Sequence, residues 1–425
     1  MRGKRISLFG NFGSLNLGNE CTLQAIIHNI RTLLPNAELE CICTNPEDVS
    51  ARHRVAAISM SRRLVRSPGE RSRRLQRNSL RRLARLLLAR IPGEILEWAR
   101  VIKTLKGRDV LVVTGTGMLT DCTEGPLGLP YEIFKWAVSA KLCRIHLLFV
   151  SVGVEPIRLW LTTLFIRASL RLADYVCFRD HHSQDYMSTL GFQGESVLYP
   201  DLAFSLPEEV LPRRKSDTSP KRVVGVGLFD YEGRGHVGPV QKHVYHDYIR
   251  KLSEFVAWLV SRGHPVRVLI GDISYDDPVR DDLRISLSNM RIKYGECNIT
   301  DEPVSSVANL LDQIATTDMV VATRYHHIVL ALMCHTPVIS ISYERKNDAL
   351  MGDLGLSDYC QHIDQLDVRR LSEQFVQLEE NADTVKMQIE RKTTAYRKAL
   401  AEQYTTLFVP QGHSRRAPLT ANCCK

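Results

Sequence analysis

The sequence lacks both a long apolar run and a paired-cysteine framework. Its longest apolar stretches, such as 145–154, stop short of the ~20 residues that a membrane helix needs, and Glu155 and Pro156 follow directly. The basic start, 1–5, leads into only a short apolar run, so no secretory signal is expected. The eleven cysteines are odd in number and contain no CxxC pair, which favours reduced thiols. These absences predict a cytoplasmic protein.

The composition is that of an ordinary globular chain with an uneven charge. The 425 residues are 44% hydrophobic and 24% charged, which fits two or three domains. Of the net charge of +9, the segment 51–90 contributes +12, with thirteen arginines and one acid, Glu70. Leucines at helical spacing predict a basic amphipathic helix over 72–90. This helix either is a solvated surface helix or contacts an anionic membrane surface, and nucleic-acid binding is not expected because interleaved aromatics are missing.

Strand-like apolar runs alternate with helical patterns along most of the chain, and this alternation predicts parallel sheets in an α/β fold. The proline-rich, charged segment 207–221 is the best candidate for a linker. We therefore expect two Rossmann-like domains with a cleft between them. The predicted parts are an N-terminal domain over 1–206 with the arginine-rich insertion 51–90, the linker, a C-terminal domain over 222–366, a long helix over 367–408 and a flexible tail over 409–425.

Glycine-rich turns follow two of the predicted strands. The first turn continues into Asn16, Asn19 and Glu20 at the start of a predicted helix, where unpaired N–H groups suit an anion or a sugar hydroxyl. The second turn contains Gly115 and Gly117 and directly follows the strand 110–113. Neither spacing matches a dinucleotide or Walker loop, so no nucleotide is assigned.

Cationic side chains follow three other predicted strands. Arg179 either presents its fork to a carboxylate or phosphate or pairs with Asp180 at the surface. Arg324 and His326 begin an apolar helix whose dipole favours a bound anion, although a histidine that merely packs there is the alternative. Lys346 brings a third positive group, or belongs to an exposed charge cluster. Adjacent histidines point apart and lack a third ligand, so no metal site is expected.

Taken in order, these elements resemble the polysaccharide pyruvyl transferase family. The resemblance rests on the N-x-G-N-E stretch 16–20, the glycine turn 115–119, the F-R-D-x-x-S segment 178–183, the Y-P-D-L-A-F segment 199–204, the T-R-Y-H element 323–326 and the stretch 343–356. The turn is Gly-Thr-Gly where the family often has an unbroken glycine run, and the arginine-rich insertion is unusual. The resemblance implies a fold similar to that of the GT-B glycosyltransferases, with phosphoenolpyruvate as donor and a sugar of a cell-surface or lipid-linked glycan as acceptor.

The resemblance places the family's anion-binding arginines at Arg179 and Arg324 and its essential histidine at His326. Phosphoenolpyruvate carries a carboxylate and a phosphate, which these arginines and Lys346 would bind without a metal or other cofactor. His326 would act as a general acid or base. The acceptor-side candidates are Asn16, Asn19, Glu20, Gly115, Gly117 and Asp121. Two alternatives stay open: a nucleotide-sugar-dependent glycosyltransferase, and a family member that has lost catalysis.

Overall fold

The computed structural model describes residues 3–61, 80–121, 125–212, 221–231, 242–292, 294 and 298–409, with the backbone alone over 80–91. Much of the arginine-rich insertion, most of the predicted linker and nearly all of the predicted tail therefore lie outside the described residues. The chain divides into two compact units. The first unit comprises Met1–Ser14, Leu34–Phe178 and Asp185–Val197, and the second comprises Leu15–Leu33, Arg179–Gln184 and Leu198–Lys425.

The first sheet has seven strands in the order β3-β2-β1-β4-β5-β6-β7. The strands are β1 Arg5–Phe9, β2 Glu38–Cys43, β3 Ala56–Ser59, β4 Val110–Val113, β5 His146–Val152, β6 Tyr175–Phe178 and β7 Val197–Leu198. The pairs from β3 to β6 are parallel. The central strand β4 is apolar and buried along its whole length, as expected for a sheet covered on both faces.

Helices alternate with these strands. They are α1 Leu17–Leu33, α2 Pro46–His53, α3 Leu80–Leu105, α4 Leu129–Leu142, α5 Trp160–Leu172 and α6 His181–Thr189. Helix α1 follows β1 in the chain but belongs to the second unit. The predicted basic helix over 72–90 coincides in part with α3, whose described backbone begins at Leu80.

The second sheet has six parallel strands in the order β10-β9-β8-β11-β12-β13. The strands are β8 Val224–Gly227, β9 Val266–Leu269, β10 Ile299–Thr300, β11 Met319–Ala322, β12 Val338–Ser342 and β13 Cys360–His362. This is the doubly wound order: β9 and β10 lie on one side of β8, and β11, β12 and β13 lie on the other. The two parallel sheets with their helices confirm the predicted α/β class.

The helices of the second half are α7 Lys242–Ser261, α8 Ile273–Asn289, α9 Val307–Ala315, α10 Tyr325–Met333, α11 Arg345–Asp353, α12 Val368–Glu380 and α13 Ala382–Phe408. The C-terminal segment that was expected to form one helix is two helices, α12 and α13, separated at Asn381. Helix α13 packs against α1 and α10 within the second unit. In this unit Tyr404 contacts Ser205 through their hydroxyls at 3.1 Å.

The sequence patterns missed the helices α2, α6, α8 and α11 and the strands β3, β7, β10 and β13. The strands among them have two to four residues, too few to show a clear alternation. Helix α8 is polar, with Asp276 and Asp277 in its first turns and Pro278 within it, so its apolar face was not recognised.

Among the residues that the structure describes, no helix is both long and apolar enough to cross a bilayer.

Candidate functional site

The candidate site of the second unit begins at the N-terminus of α1, which Asn16 caps. The Asn16 side-chain oxygen accepts hydrogen bonds from the backbone N–H of Gly18 at 3.1 Å and of Asn19 at 3.3 Å. The Asn16 side-chain amide donates to Asp272 at 3.0 Å. Asparagine is a preferred N-cap because its oxygen satisfies these otherwise unpaired donors. Glu20, in the same first turn, has a buried side chain. The cap therefore fixes the start of α1 against the loop that follows β9.

Arg324 directly follows β11 and is bound by a buried carboxylate. Its Nη2 donates to Oδ1 of Asp276 at 2.6 Å, and its Nε donates to the other oxygen of the same carboxylate. Asp276 is fully buried and also accepts backbone N–H groups of Asp230, Gly271 and Asp272 at 3.1, 3.2 and 2.9 Å. The guanidinium also lies over the Phe229 ring, with Cζ of Arg324 5.0 Å from the ring centroid. The ion pair thus orients Arg324 and leaves Nη1 without a hydrogen bond to any described residue.

His326 lies in the first turn of α10 against the first turn of α1. A Cβ atom added to Gly18 would lie 2.1 Å from His326 Nδ1 and 2.3 Å from its Cγ, so only glycine leaves room for the ring. On the other side, His326 Nε2 is 3.9 Å from Oδ1 of Asp201, too far for a hydrogen bond. Nε2 is buried and has no hydrogen-bond partner among the described residues. The imidazole is therefore held in place by packing rather than by a hydrogen bond at Nε2.

The protonation state of His326 follows from this environment. Burial lowers its pKa from 6.5 to about 4, and the positive charges of Arg179 and Lys346 act in the same direction, whereas the Asp201 carboxylate opposes them. The side chain nevertheless keeps 18% of its surface exposed. His326 is therefore a neutral imidazole at neutral pH and can accept a proton.

Arg179 and His326 share Asp201. Arg179 Nη1 donates to Oδ2 of the fully buried Asp201 at 3.0 Å, and the guanidinium lies 4.6 Å from the centroid of the Tyr325 ring. The alternative of a surface pair with Asp180 is wrong. Arg179 Nε lies 3.6 Å from the Asp180 carboxylate, but the Arg179 side chain is only 3% exposed, so the pair is not at the surface. Asp201 itself is anchored by the backbone N–H of Ala203 at 3.0 Å. Arg179 is thus a buried cation that binds one oxygen of Asp201, while the other oxygen faces His326.

Lys346 follows β12 in the first turn of α11 and is mostly buried. Its Nζ pairs with Glu344 at 2.8 Å and lies 5.0 Å from the centroid of the Tyr343 ring. Tyr343 in turn stacks on Phe229 with centroids 4.2 Å apart. Since Arg324 lies over Phe229, each of the two cations contacts one ring of this stacked pair. This stack holds both cations close to the carboxyl ends of the strands in water-poor surroundings, where they act more strongly on an anion.

His327, the next residue of α10, is fully buried. A Cβ atom added to Gly227 would lie 2.5 Å from His327 Nδ1, and one added to Gly271 would lie 2.8 Å from its Nε2. Burial lowers the pKa of His327 to about 4. Within the described parts of the chain, no group of three or more His, Cys, Asp or Glu side chains is arranged to hold a metal ion.

The predicted acceptor-side residues of the first unit surround the carboxyl ends of β4 and β5. A Cβ atom added to Gly115 would lie 2.6 Å from the carbonyl oxygen of Ser151, and one added to Gly117 would lie 2.6 Å from a carboxylate oxygen of Glu155. Ser151 has a φ of 51°, in the left-handed region that non-glycine residues rarely adopt. Such strain is concentrated at functional sites. Asp121 accepts backbone N–H groups of Arg158 and Leu159 at 2.8–3.2 Å, so it holds the loop before α5.

The structure thus groups most of the predicted residues in the second unit. Asn16, Asn19, Glu20, Arg179, Arg324, His326 and Lys346 belong to it, whereas Gly115, Gly117 and Asp121 belong to the first unit. The roles of all ten residues stay predictions. Sequence reasoning included Asp201 in the motif 199–204 without assigning it a role, and it missed the carboxylates Asp272 and Asp276. A usable signal was present for Asp272, which follows Gly271 at the end of β9 and caps α8.

Solved structures with known ligands share this fold. UDP-GlcNAc 2-epimerase from Neisseria meningitidis, bound to UDP-GlcNAc, is 10% identical, with 95% of this chain and 98% of that chain covered and a TM-score of 0.57. MnaA of S. aureus with UDP is 10% identical, with 94% of each chain covered and a TM-score of 0.58. Anabaena Alr3699/HepE in complex with UDP is 13% identical, with 95% of this chain and 100% of that chain covered and a TM-score of 0.56. At such identities the likeness shows the fold alone, and it confirms the predicted similarity to the GT-B fold.

The sequence comparisons define the family. No curated protein matches this chain. The family model described as polysaccharide pyruvyl transferase matches residues 16–345, from the cap of α1 to the start of α11. This match includes Arg179, Asp201, Arg324 and His326, the residues that the second unit brings together. The chain belongs to the polysaccharide pyruvyl transferase family.

Proposed function

We propose that this protein transfers the pyruvyl group of phosphoenolpyruvate to two hydroxyls of a sugar and so forms a pyruvate ketal. The acceptor is a sugar of a cell-surface polysaccharide or of its lipid-linked precursor. The observation that carries the proposal is the neutral imidazole of His326 beside cations at the N-terminus of α10. Family membership supports the transferase class, and the side chains support the donor.

The donor requires a site that binds two anionic groups. Helix α10 has no side-chain cap at its N-terminus, so its first N–H groups and its dipole favour an anion there. Arg324 contributes Nη1, since its other face is bound by Asp276. Arg179 and Lys346 add positive charge near His326, as their effect on the pKa of this residue indicates. We assign the phosphate and the carboxylate of phosphoenolpyruvate to these cations and to the helix N-terminus.

The paired carboxylates limit how strongly the site attracts anions. Asp201 and Asp276 each neutralise one arginine, so the site is less positive than the arginines alone would make it. Their contribution is orientation, because a buried guanidinium held by a carboxylate cannot swing away from the ligand. The binding energy of the donor then depends on precise placement of donors rather than on net charge.

The reaction balances with the groups at hand. C3 of phosphoenolpyruvate gains a proton and becomes a methyl group, and C2 forms bonds to the two sugar oxygens. The bond from C2 to the phosphate oxygen breaks, and phosphate leaves. The two hydroxyls release two protons, one of which offsets the proton taken up at C3 while the other leaves with phosphate. A neutral His326 accepts the proton of an attacking hydroxyl, a role that contributes about 10²- to 10⁴-fold when the base is well positioned.

The test is release of inorganic phosphate from phosphoenolpyruvate by the purified full chain with a panel of free and lipid-linked sugars. We expect release that depends on the acceptor, a ketal methyl signal in the NMR spectrum of the product, and loss of both in His326→Asn. Turnover of a UDP-sugar on the same panel, with none of phosphoenolpyruvate, would assign the chain to the nucleotide-sugar transferases instead. Binding of phosphoenolpyruvate without turnover on any acceptor would indicate a member without catalysis.

A further inference from the structure

The first unit exposes large apolar side chains on neighbouring elements. Trp160 and Leu164 of α5 are 76% and 52% exposed, and Leu159 directly before them is 45% exposed. Ile95 and Leu96 of α3 are 62% and 66% exposed, and Leu127, just before α4, is 66% exposed. We call these six residues the apolar rim.

Contacts of Tyr131 join the three helices that carry or adjoin the apolar rim. The Tyr131 hydroxyl of α4 donates to Glu94 of α3 at 2.9 Å, and the Tyr131 ring packs on Phe165 of α5 with centroids 5.5 Å apart. Ile95 and Leu96 follow Glu94 in the chain, Leu164 precedes Phe165, and Leu127 lies one helical turn before Tyr131. All six residues of the rim thus lie on or just before three helices of one unit, of which α4 packs against both α3 and α5.

We propose that the apolar rim is the surface through which this protein binds an anionic lipid bilayer. Charge favours this occupant over a second copy of the chain. Arg158 is exposed directly beside Leu159 and Trp160, whereas the acids nearest the rim on α3 are paired: Glu94 with Lys135 at 3.3 Å and Glu97 with Arg100 at 3.0 Å. The segment 51–90, which precedes the rim in the chain, has a formal charge of +12. Apolar side chains flanked by cations, with a tryptophan among them, are typical of surfaces that insert at the lipid headgroup level.

Hydrogen bonds also connect the start of α5, which carries part of the rim, to the segment that follows the glycine turn of the first unit. Asp121 binds the backbone N–H groups of Arg158 and Leu159, and Thr120 donates to the carbonyl oxygen of Pro156 at 3.4 Å. These bonds fix the start of α5 relative to the turn that contains Gly115 and Gly117. A bilayer bound at the rim would therefore lie beside the loops predicted to bind the acceptor. The docking itself does not depend on the donor or on the reaction.

The experiment measures binding of the purified full chain to phosphatidylcholine vesicles with and without phosphatidylglycerol. The test variant carries Trp160→Ser and Leu164→Ser. The matched control carries Ile285→Ser and Met387→Ser, which are 60% and 64% exposed in the second unit. We expect binding that requires phosphatidylglycerol, an affinity about tenfold weaker in the test variant, and no change in the control. Trp160→Phe should retain binding and lose part of the blue shift of tryptophan emission.

Three outcomes would overturn the proposal. They are a wild-type protein that binds neither kind of vesicle, a test variant that binds as the wild type does, and a wild-type dimer that dissociates in the test variant. The third outcome would assign the rim to a second copy of this chain. All four replaced side chains are exposed, so the variants are expected to fold, and equal thermal midpoints would verify this.

Discussion

Replacing Gly18 by alanine should impair catalysis while leaving the fold intact. The added Cβ atom would lie 2.1 Å from Nδ1 and 2.3 Å from Cγ of His326, well inside van der Waals contact. Because these atoms belong to a ring rather than to the end of a flexible chain, the whole imidazole must shift. A displacement of about 1 Å at a catalytic group is enough to reduce the rate about 100-fold.

The effect on stability should be small because two contributions oppose each other. Alanine is favoured over glycine within a helix by about 1 kcal/mol, and Gly18 lies in the first turn of α1. Crowding of a packed site costs about 1–3 kcal/mol. The net change in the free energy of unfolding is therefore a loss of about 0–2 kcal/mol, which urea unfolding would measure.

The assay is kcat for acceptor-dependent phosphate release, with Gly93→Ala as the matched control. Gly93 also lies in a helix, α3, but a Cβ atom there would have no neighbour within 4 Å. We expect kcat to fall about 100-fold in Gly18→Ala and to stay unchanged in Gly93→Ala. A Gly18→Ala protein with the kcat of the wild type would refute the assigned position and role of His326.

Three further predictions concern other parts of the site. Arg324→Ala should lower the free energy of unfolding by about 3 kcal/mol, measured in urea, because Asp276 would remain buried without its partner; an unchanged midpoint would contradict the ion pair. His326 and His327 have pKa values near 4 in the folded protein and near 6.5 when unfolded, so the unfolded chain binds more protons between these values. Stability should fall as pH is lowered from 6.5 towards 4, by about 1.4 kcal/mol per pH unit for each histidine, and equal urea midpoints at pH 7 and pH 5 would disprove this. In D₂O the ketal methyl group should carry one deuterium by mass spectrometry, because C3 gains its proton from a group that exchanges with solvent; a methyl group without deuterium would contradict proton addition at C3.

The fold could be predicted largely because its strands are fully buried and uniformly apolar. Runs such as 110–113 and 319–322 stand out against the polar helices between them, and the parallel sheet follows from that alternation. The polar helix α8 and the short strands at the sheet edges lack this contrast. The break at Asn381 between α12 and α13 was missed because the helical pattern of apolar residues continues across it.

The candidate site could be predicted only in part. Arg324 and His326 were found because the residues that follow β11 must lie at the carboxyl edge of the sheet. Asp276 was not found, because it comes from a segment far away in the sequence and an aspartate has no pattern that distinguishes a buried ligand of arginine from a solvated side chain. Asp201 was part of a recognised motif, but its place beside Arg179 and His326 is a tertiary property. The membership of α1 in the second unit is likewise a tertiary property, and through it Gly18 comes into contact with His326.

The most direct test of the proposed donor site is calorimetric titration of the purified full chain with phosphoenolpyruvate, beside the same titration with UDP. We predict saturable binding of phosphoenolpyruvate to one site per chain and no heat from UDP. Saturable binding of UDP with none of phosphoenolpyruvate would contradict the assignment of Arg179, Arg324 and Lys346 to a pyruvyl donor.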